Sequence, residues 1–243
     1  ESVSNSAAVV TIAATGDTGS LTWSITGGNT DGDSDNNAPF AIASSTGAIT
    51  VNDADDIDYE TTTSYNLVVQ ATDGTAADTE TITITITDVD EHDVGSVTDS
   101  DSDANTLAEN VANGASAEIT ATASDADGTT NTITYSITAQ SCTGAFAVGS
   151  SSGAVTVADT SALDYETATS CTVTVKATSA DNSYDSAQFT VTLTDVDEHD
   201  VGAVSDSNNA ANTVAENAAD DATVGVTGSA SDADGTTNTI TYT

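Results

Sequence analysis

The sequence predicts an all-β protein made of tandem antiparallel sandwiches. Three observations carry this prediction. Residues 81–87 read Thr-Ile-Thr-Ile-Thr-Ile-Thr, and 172–175 and 190–193 alternate Thr with Val or Leu. Such alternation of β-branched residues gives a strand one apolar and one polar face, and no segment of useful length shows a helical period. Second, the chain has no Met, one Pro and 17 Gly, many of the glycines at loop positions. Third, it repeats. Asp88-Val89-Asp90-Glu91-His92-Asp93 returns from Asp195 to Asp200, and Ala108-Glu109-Asn110 returns as Ala215-Glu216-Asn217. The run from Ser124 to Tyr135 recurs intact from Ser231 to Tyr242, and Asp58-Tyr59-Glu60 matches Asp164-Tyr165-Glu166. The spacing of about 107 residues suits one small domain with its own core and exceeds that of a solenoid unit.

Registering the repeats sets the expected boundaries. Module one covers 1–93, module two 94–200, and module three 201–243, where it stops in what should be its third strand. The sequence therefore reads as a window on a longer array, or as a chain whose third module another chain completes. Within module two the expected strands are, in order, 107–108 continuing to 117, then 118–123, 132–138, 146–148, 154–157, 171–177 and 187–194. Seven short alternating strands in about 100 residues describe an antiparallel sandwich.

Charge excludes several functions. There are 39 Asp plus Glu against one basic residue, Lys176, for a formal net charge of −38. A nucleic-acid binder needs a basic footprint, and an anionic membrane surface would repel this chain. No stretch approaches the ~20 apolar residues of a membrane span.

The ordered motifs are Ala-Glu-Asn, Asp-Ala-Asp, Ile-Thr-Tyr-Ser-Ile, a Phe followed by Gly-Ala-Ile/Val-Thr-Val, Asp-Tyr-Glu, and Asp-Val-Asp-Glu-His. Together they resemble the cadherin repeat, in the divergent form found in very large bacterial surface and secreted proteins. The resemblance covers the whole chain. It implies seven-stranded Greek-key sandwiches joined head to tail, with Ca²⁺ in the linkers.

Chemistry reaches the same place. The acids of the repeated motifs fall at strand ends. If the modules are sandwiches, Glu1, Asp58, Glu60, Asp88, Asp90, Glu91, Asp125 and Asp127 crowd one junction. Glu109, Asp164, Glu166, Asp195, Asp197, Glu198, Asp232 and Asp234 crowd a second. Unpaired carboxylates ~4–6 Å apart repel, and a hard divalent cation resolves this. Ca²⁺ accepts 6–8 oxygens in flexible geometry, which suits the set better than Mg²⁺. By the resemblance, Glu1, Asp58, Glu60, Asp88 and Glu91 bind outer ions with the carbonyl of Val89. Asp90, Asp125 and the bridging Asp127 bind an inner one with the carbonyls of His92 and Asn131. Val196, His199 and Asn238 are the counterparts at the second junction.

The sequence departs from the family pattern in three places. Glu91 and His92 stand where the family linker has Asp and Asn. Gly19 replaces the second Asp of Asp-Ala-Asp in module one. Ser179 stands where the family has an Asp near the sixth strand, a place that Asp73 fills in module one; Asp181, two residues on, is read as lying on the strand. The inner site of the first junction is therefore expected to be the weakest. Scattered acids such as Asp31, Asp33, Asp35, Asp101 and Asp103 read as surface. The run from Asp31 to Asp35 opens like a calcium loop, but no Glu closes it at position twelve.

Cys142 and Cys171 end the third and begin the sixth strand of module two, antiparallel neighbours in this kind of sandwich. They are expected to form a disulfide, against the alternative of two buried thiols, and a disulfide fits an oxidising extracellular setting. No catalytic arrangement emerges. His92 and His199 occupy one linker position twice, and Asp58/Glu60 repeat as Asp164/Glu166, as scaffold residues do. The expected function is the calcium-stiffened stalk of a cell-surface adhesin, secreted or at the cell surface. The first alternative is a structural subunit of an extracellular filament or sheath, and the expected partners are neighbouring repeats and, in a filament, other copies of the chain. A carbohydrate-binding module using Trp23 or Tyr184 as a platform is the remaining alternative.

Overall fold

The computed structural model describes residues 2–14 and 20–243. Two compact units emerge. The first comprises residues up to Val94 with Ser124–Thr132 and Ser179–Ser183. The second comprises Gly95–Ala123, Ile133–Thr178 and Tyr184–Thr243. The fold is all-β, with paired sheets in sandwich arrangement.

In the first unit, β1 (Ala8–Thr11), β4 (Ala48–Val51) and β3 (Phe40–Ile42) form one antiparallel sheet. β2 (Thr22–Gly27), β5 (Ser64–Thr72) and β6 (Ala77–Thr85) form the other. The alternation seen in sequence sorts side chains between faces. Ile49 and Val51 from one sheet meet Trp23, Leu67 and Val69 from the other, with Phe40 and Ile57 closing the core. Phe40 and Tyr65 stack edge to face at 5.1 Å, and the Tyr65 hydroxyl donates to the Asp56 carbonyl at 2.6 Å. The Thr residues of β6 are exposed, because they occupy the opposite parity.

In the second unit, β7 (Thr98–Asp99), β9 (Ser116–Thr122), β12 (Ala154–Val157) and β11 (Phe146–Val148) form one sheet. β8 (Thr106–Ala108), β14 (Tyr184–Thr194), β13 (Ser170–Thr178) and β10 (Thr134–Gln140) form the other. The strand expected to run continuously from 107 to 117 is split. β8 pairs parallel to β14, and the chain then crosses to β9 in the opposite sheet. The break falls at residues 109–115, where Glu109 leaves the ladder and Gly114 takes φ 88°. β7 is an element too short for its two residues to show a period. A single 3₁₀ turn (Thr160–Ala162) is capped by Asp159, whose carboxylate accepts from Ser161 N–H.

Ile119, Val155, Val157, Val173, Val175, Val191 and Leu193 fill this core. Cys142 and Cys171 are disulfide-bonded with Cα atoms 5.5 Å apart. Residues 201–243 carry one short pairing, β15 (Ser205–Asp206) with β16 (Gly228–Ser229). There Val204 is 72% exposed, whereas Val97, one repeat earlier, is 6% exposed.

Candidate metal centres

The linker after β6 has no alternation, so it leaves the sheet and its amides become available to acids. Asp127 lies beside it with only 1% of its surface exposed. Its Oδ1 accepts from the backbone N–H of Glu91 and His92 at 3.2 and 3.3 Å. Asp127 N–H donates to Asp125 Oδ1 at 3.1 Å, and Asn131 Nδ2 donates to the Asp127 carbonyl at 2.6 Å. Gly128 N–H donates to Glu60 Oε1 at 2.7 Å, and Thr129 Oγ1 donates to Asp88 Oδ2. These bonds gather carboxylates rather than neutralise them. Oxygens of Glu60, Asp88 and Asp127 lie within 4.8 Å of one another, as do those of Asp90, Asp127 and Asp181.

Gly128 is required by close approach. A Cβ there would sit 2.6 Å from the Tyr59 ring and 2.9 Å from Glu60 Oε1. Gly235 stands in the same relation to Tyr165 and Glu166.

The second unit repeats the construction. Glu109 is 5% exposed; its Oε1 accepts from Val196 N–H at 2.9 Å and its Oε2 from Tyr165 N–H at 2.6 Å. Glu198 and His199 N–H donate to Asp234 Oδ1 at 3.2 and 3.3 Å, and Asp234 N–H donates to Asp232 Oδ1 at 3.3 Å. Gly235 N–H donates to Glu166 Oε1 at 2.7 Å. Thr236 donates through N–H and Oγ1 to Asp195 Oδ2. Glu109, Asp164, Glu166, Glu198 and His199 line one depression. Asn238 is exposed.

Electrostatics follow from crowding. Desolvation, then repulsion from Asp181, Asp127 and Asp125, pushes the Asp90 carboxyl above its ordinary range. Asp197 is pushed up by proton sharing with Asp234 and repulsion from it. Glu198 is raised by desolvation and then by Glu109 and Glu166. Asp125 is lowered, first by the Ser179 hydroxyl. Asp58 and Asp164 are lowered chiefly by the hydroxyls of Thr61 and Thr167. Each of these two accepts from its Thr through both N–H and hydroxyl.

Whether these residues fit a cation is decided by orphaned atoms. Asp88 Oδ1, Asp125 Oδ2 and Asp127 Oδ2 in the first centre are inaccessible to solvent and accept no hydrogen bond. Asp195 Oδ1 and Asp234 Oδ2 are their counterparts in the second. Buried carboxylate oxygens without donors are strongly unfavourable unless a cation meets them. The chain's one basic side chain is committed elsewhere, with Lys176 Nζ 3.8 Å from the Tyr184 ring centroid. An all-oxygen, multiply anionic donor set fits Ca²⁺.

Among the sequence-derived ligands, Glu1 lies outside the described residues, as do Asp17 and Gly19. Asp181 requires a correction. β13 ends at Thr178, so Asp181 is not on a strand; it sits in the turn before β14 and joins Asp90 and Asp127. A second group also escaped the spacing argument. Asp33 meets Asp31 and Asp56, and also Asp35 and Asp53. Asp53 and Asp56 come from after β4, not from position twelve of the loop. Trp23 is 8% exposed in the core and offers no sugar platform, whereas Tyr184 is 64% exposed.

The sequence matches the Cadherin domain at residues 2–87 and again at 104–194. The chain belongs to the cadherin family. Mouse cadherin-23 EC22-24 is similar in structure with TM-score 0.66 and 22% identity, over 97% of this chain and 73% of that one. Protocadherin gamma B2 extracellular cadherin domains 3-6 are similar with TM-score 0.63 and 24% identity, over 96% of this chain and 52% of that one. Protocadherin gammaB7 EC3-6, described as a cis-dimer, gives TM-score 0.66 and 18% identity over 96% of this chain. This chain spans about half of each of the two protocadherin structures. No curated protein matches it in sequence. Cadherin domains are extracellular repeats of adhesion proteins and are generally non-enzymatic. Among the described residues no helix is long and apolar enough to cross a membrane.

Proposed function

We propose that this chain is a calcium-rigidified segment of an extracellular adhesion array, acting as a stalk that carries binding domains away from a surface. The observation that carries this reading is the pair of buried acids Asp127 and Asp234, 1% and 2% exposed, each with one oxygen that meets no donor. Glu60, Asp88, Asp90, Glu91 and Asp125 would hold calcium with Asp127 in the first centre, joined by Asp58. Glu109, Asp164, Glu166, Asp195, Asp197, Glu198 and Asp232 would do so with Asp234 in the second. Bound calcium supplies positive charge that removes the repulsion among these acids. The loops bearing Asp125–Asn131 and Asp232–Asn238 are thereby fixed to the linkers 88–93 and 195–200.

Lateral association of copies is a second reading. It is supported by the cis-dimer described for the protocadherin gammaB7 fragment. With a net charge of −38, copies repel strongly unless cations screen them.

Calorimetric titration tests the calcium reading. Binding in the ~10⁻⁴–10⁻³ M range usual for extracellular modules is expected, together with a melting temperature that rises with calcium by mass action. Absence of both heat and stabilisation at millimolar calcium contradicts it.

A further inference from the structure

We propose that Asp181, from the turn between β13 and β14, is a carboxylate ligand of the first centre, taking over from the residue at position 179. Ser183 is the residue that orients it. This assignment rests on the calcium reading above.

Four observations support it. The oxygens of Asp181 lie within 4.8 Å of those of Asp90 and Asp127. Asp127 is 99% buried, and its Oδ2 meets no donor, so the carboxylate that Asp181 approaches holds an acceptor already stripped of water. Ser183 donates to Asp181 Oδ1 twice, through N–H at 2.8 Å and Oγ at 2.9 Å. Both donors go to Oδ1, so Oδ2 takes no bond from Ser183. The Ser183 Oγ in turn accepts from Val94 N–H at 3.0 Å. The linker amide, the serine hydroxyl and the carboxylate thus form a relay that aims Asp181 only when the linker is in place.

Ser179 is excluded by its own bonds. It is 4% exposed, its hydroxyl donates to the Thr130 carbonyl at 2.7 Å, and its N–H donates to the Ser183 carbonyl at 3.0 Å. It closes the turn and braces the loop that bears Asp127. Asn182 adopts φ 82°, so the chain reverses just after Asp181. That reversal lets a residue two places beyond position 179 reach the same group, where a strand would carry it further along.

Calorimetric titration of the 243-residue chain with calcium alone tests this, comparing wild type with Asp181→Asn, Ser179→Ala and Ser183→Ala. Asp181→Asn keeps an oxygen for Ser183 but removes the charge. It is expected to lose one binding step or weaken it roughly tenfold or more, since ligand charge sets affinity in such sites. Ser179→Ala retains every step with a smaller loss than Asp181→Asn, because its hydroxyl supports Asp125 and the Asp127 loop without supplying a charge, and Ser183→Ala weakens the Asp181 step by a smaller factor. A wild-type titration with calcium steps that Asp181→Asn leaves unchanged overturns the assignment while the calcium reading survives. A wild type that binds no calcium overturns both. Should Asp181→Asn fail to fold, Ser183→Ala decides, because an unchanged titration there contradicts the relay.

Discussion

Asp127 is held where its own charge is unwelcome. It lies 1% exposed among Asp88, Asp90 and Glu60, and burial of a charge beside like charges, with no cationic side chain to pair it, is costly. Without calcium the protein therefore carries repulsion that an amide would relieve. Asp127→Asn is expected to raise the melting temperature in chelator by a few degrees, on the order of 1 kcal/mol, and to abolish most of the calcium-dependent rise. Differential scanning calorimetry with and without chelator checks both halves; a variant that keeps the full calcium increment contradicts the role given to Asp127. Gly128→Ala makes the complementary case. Its Cβ would meet the Tyr59 ring at 2.6 Å, so the ring must move and carry Glu60 with it. Weakened calcium binding with little change in chelator stability is expected.

At the scale of elements, hairpins and strands separate by what their residues can show in advance. Leu67 is fully buried in β5, and Leu67→Ala should cost about 2–5 kcal/mol by the cavity it leaves, measured by denaturant unfolding. Asp73 caps the β5–β6 turn, accepting from Thr75 and Ala76 N–H at 2.8 and 2.7 Å. The bonds of Ala76 and then Thr75 lower its pKa from 3.8 to about 2. A depressed carboxylate stabilises above its unfolded pKa, and that contribution fades as pH falls from about 4 toward 2. Asp73→Asn should therefore flatten the acid limb of the stability curve in that window. The disulfide between Cys142 and Cys171 spans 29 residues and should contribute roughly 3 kcal/mol. Alkylation of unreduced, unfolded protein should leave both cysteines unmodified in mass spectra.

Long alternating strands such as β6, β13 and β14 were legible in the sequence because period two is a local property. β7 was not, since two residues hold no period; β8 was expected at 107–108, but its end at Ala108 and its parallel pairing were not, because distant chain decides them. The acids of the repeated motifs were legible because repetition marked them. Asp181 was misplaced because counting along a strand cannot see where the turn begins. Asp53 and Asp56 were missed as partners of Asp31, Asp33 and Asp35 because the chain brings them together only after β4 has formed.

For the whole molecule, 39 acids against one base underlie the proposal that calcium sets conformation rather than fold. The sandwich cores, with Leu67, Val173 and Val191 at 0% exposure, are expected to stay folded without ions. By the proposed reading the linkers at 88–93 and 195–200 are the ion-dependent parts, because acids there bond the loops that bear Asp127 and Asp234. Small-angle X-ray scattering of the 243-residue chain in millimolar calcium and in chelator tests this most directly. The account predicts a broader distance distribution in chelator than in calcium, at unchanged far-ultraviolet circular dichroism. Superimposable scattering profiles in the two conditions would contradict it.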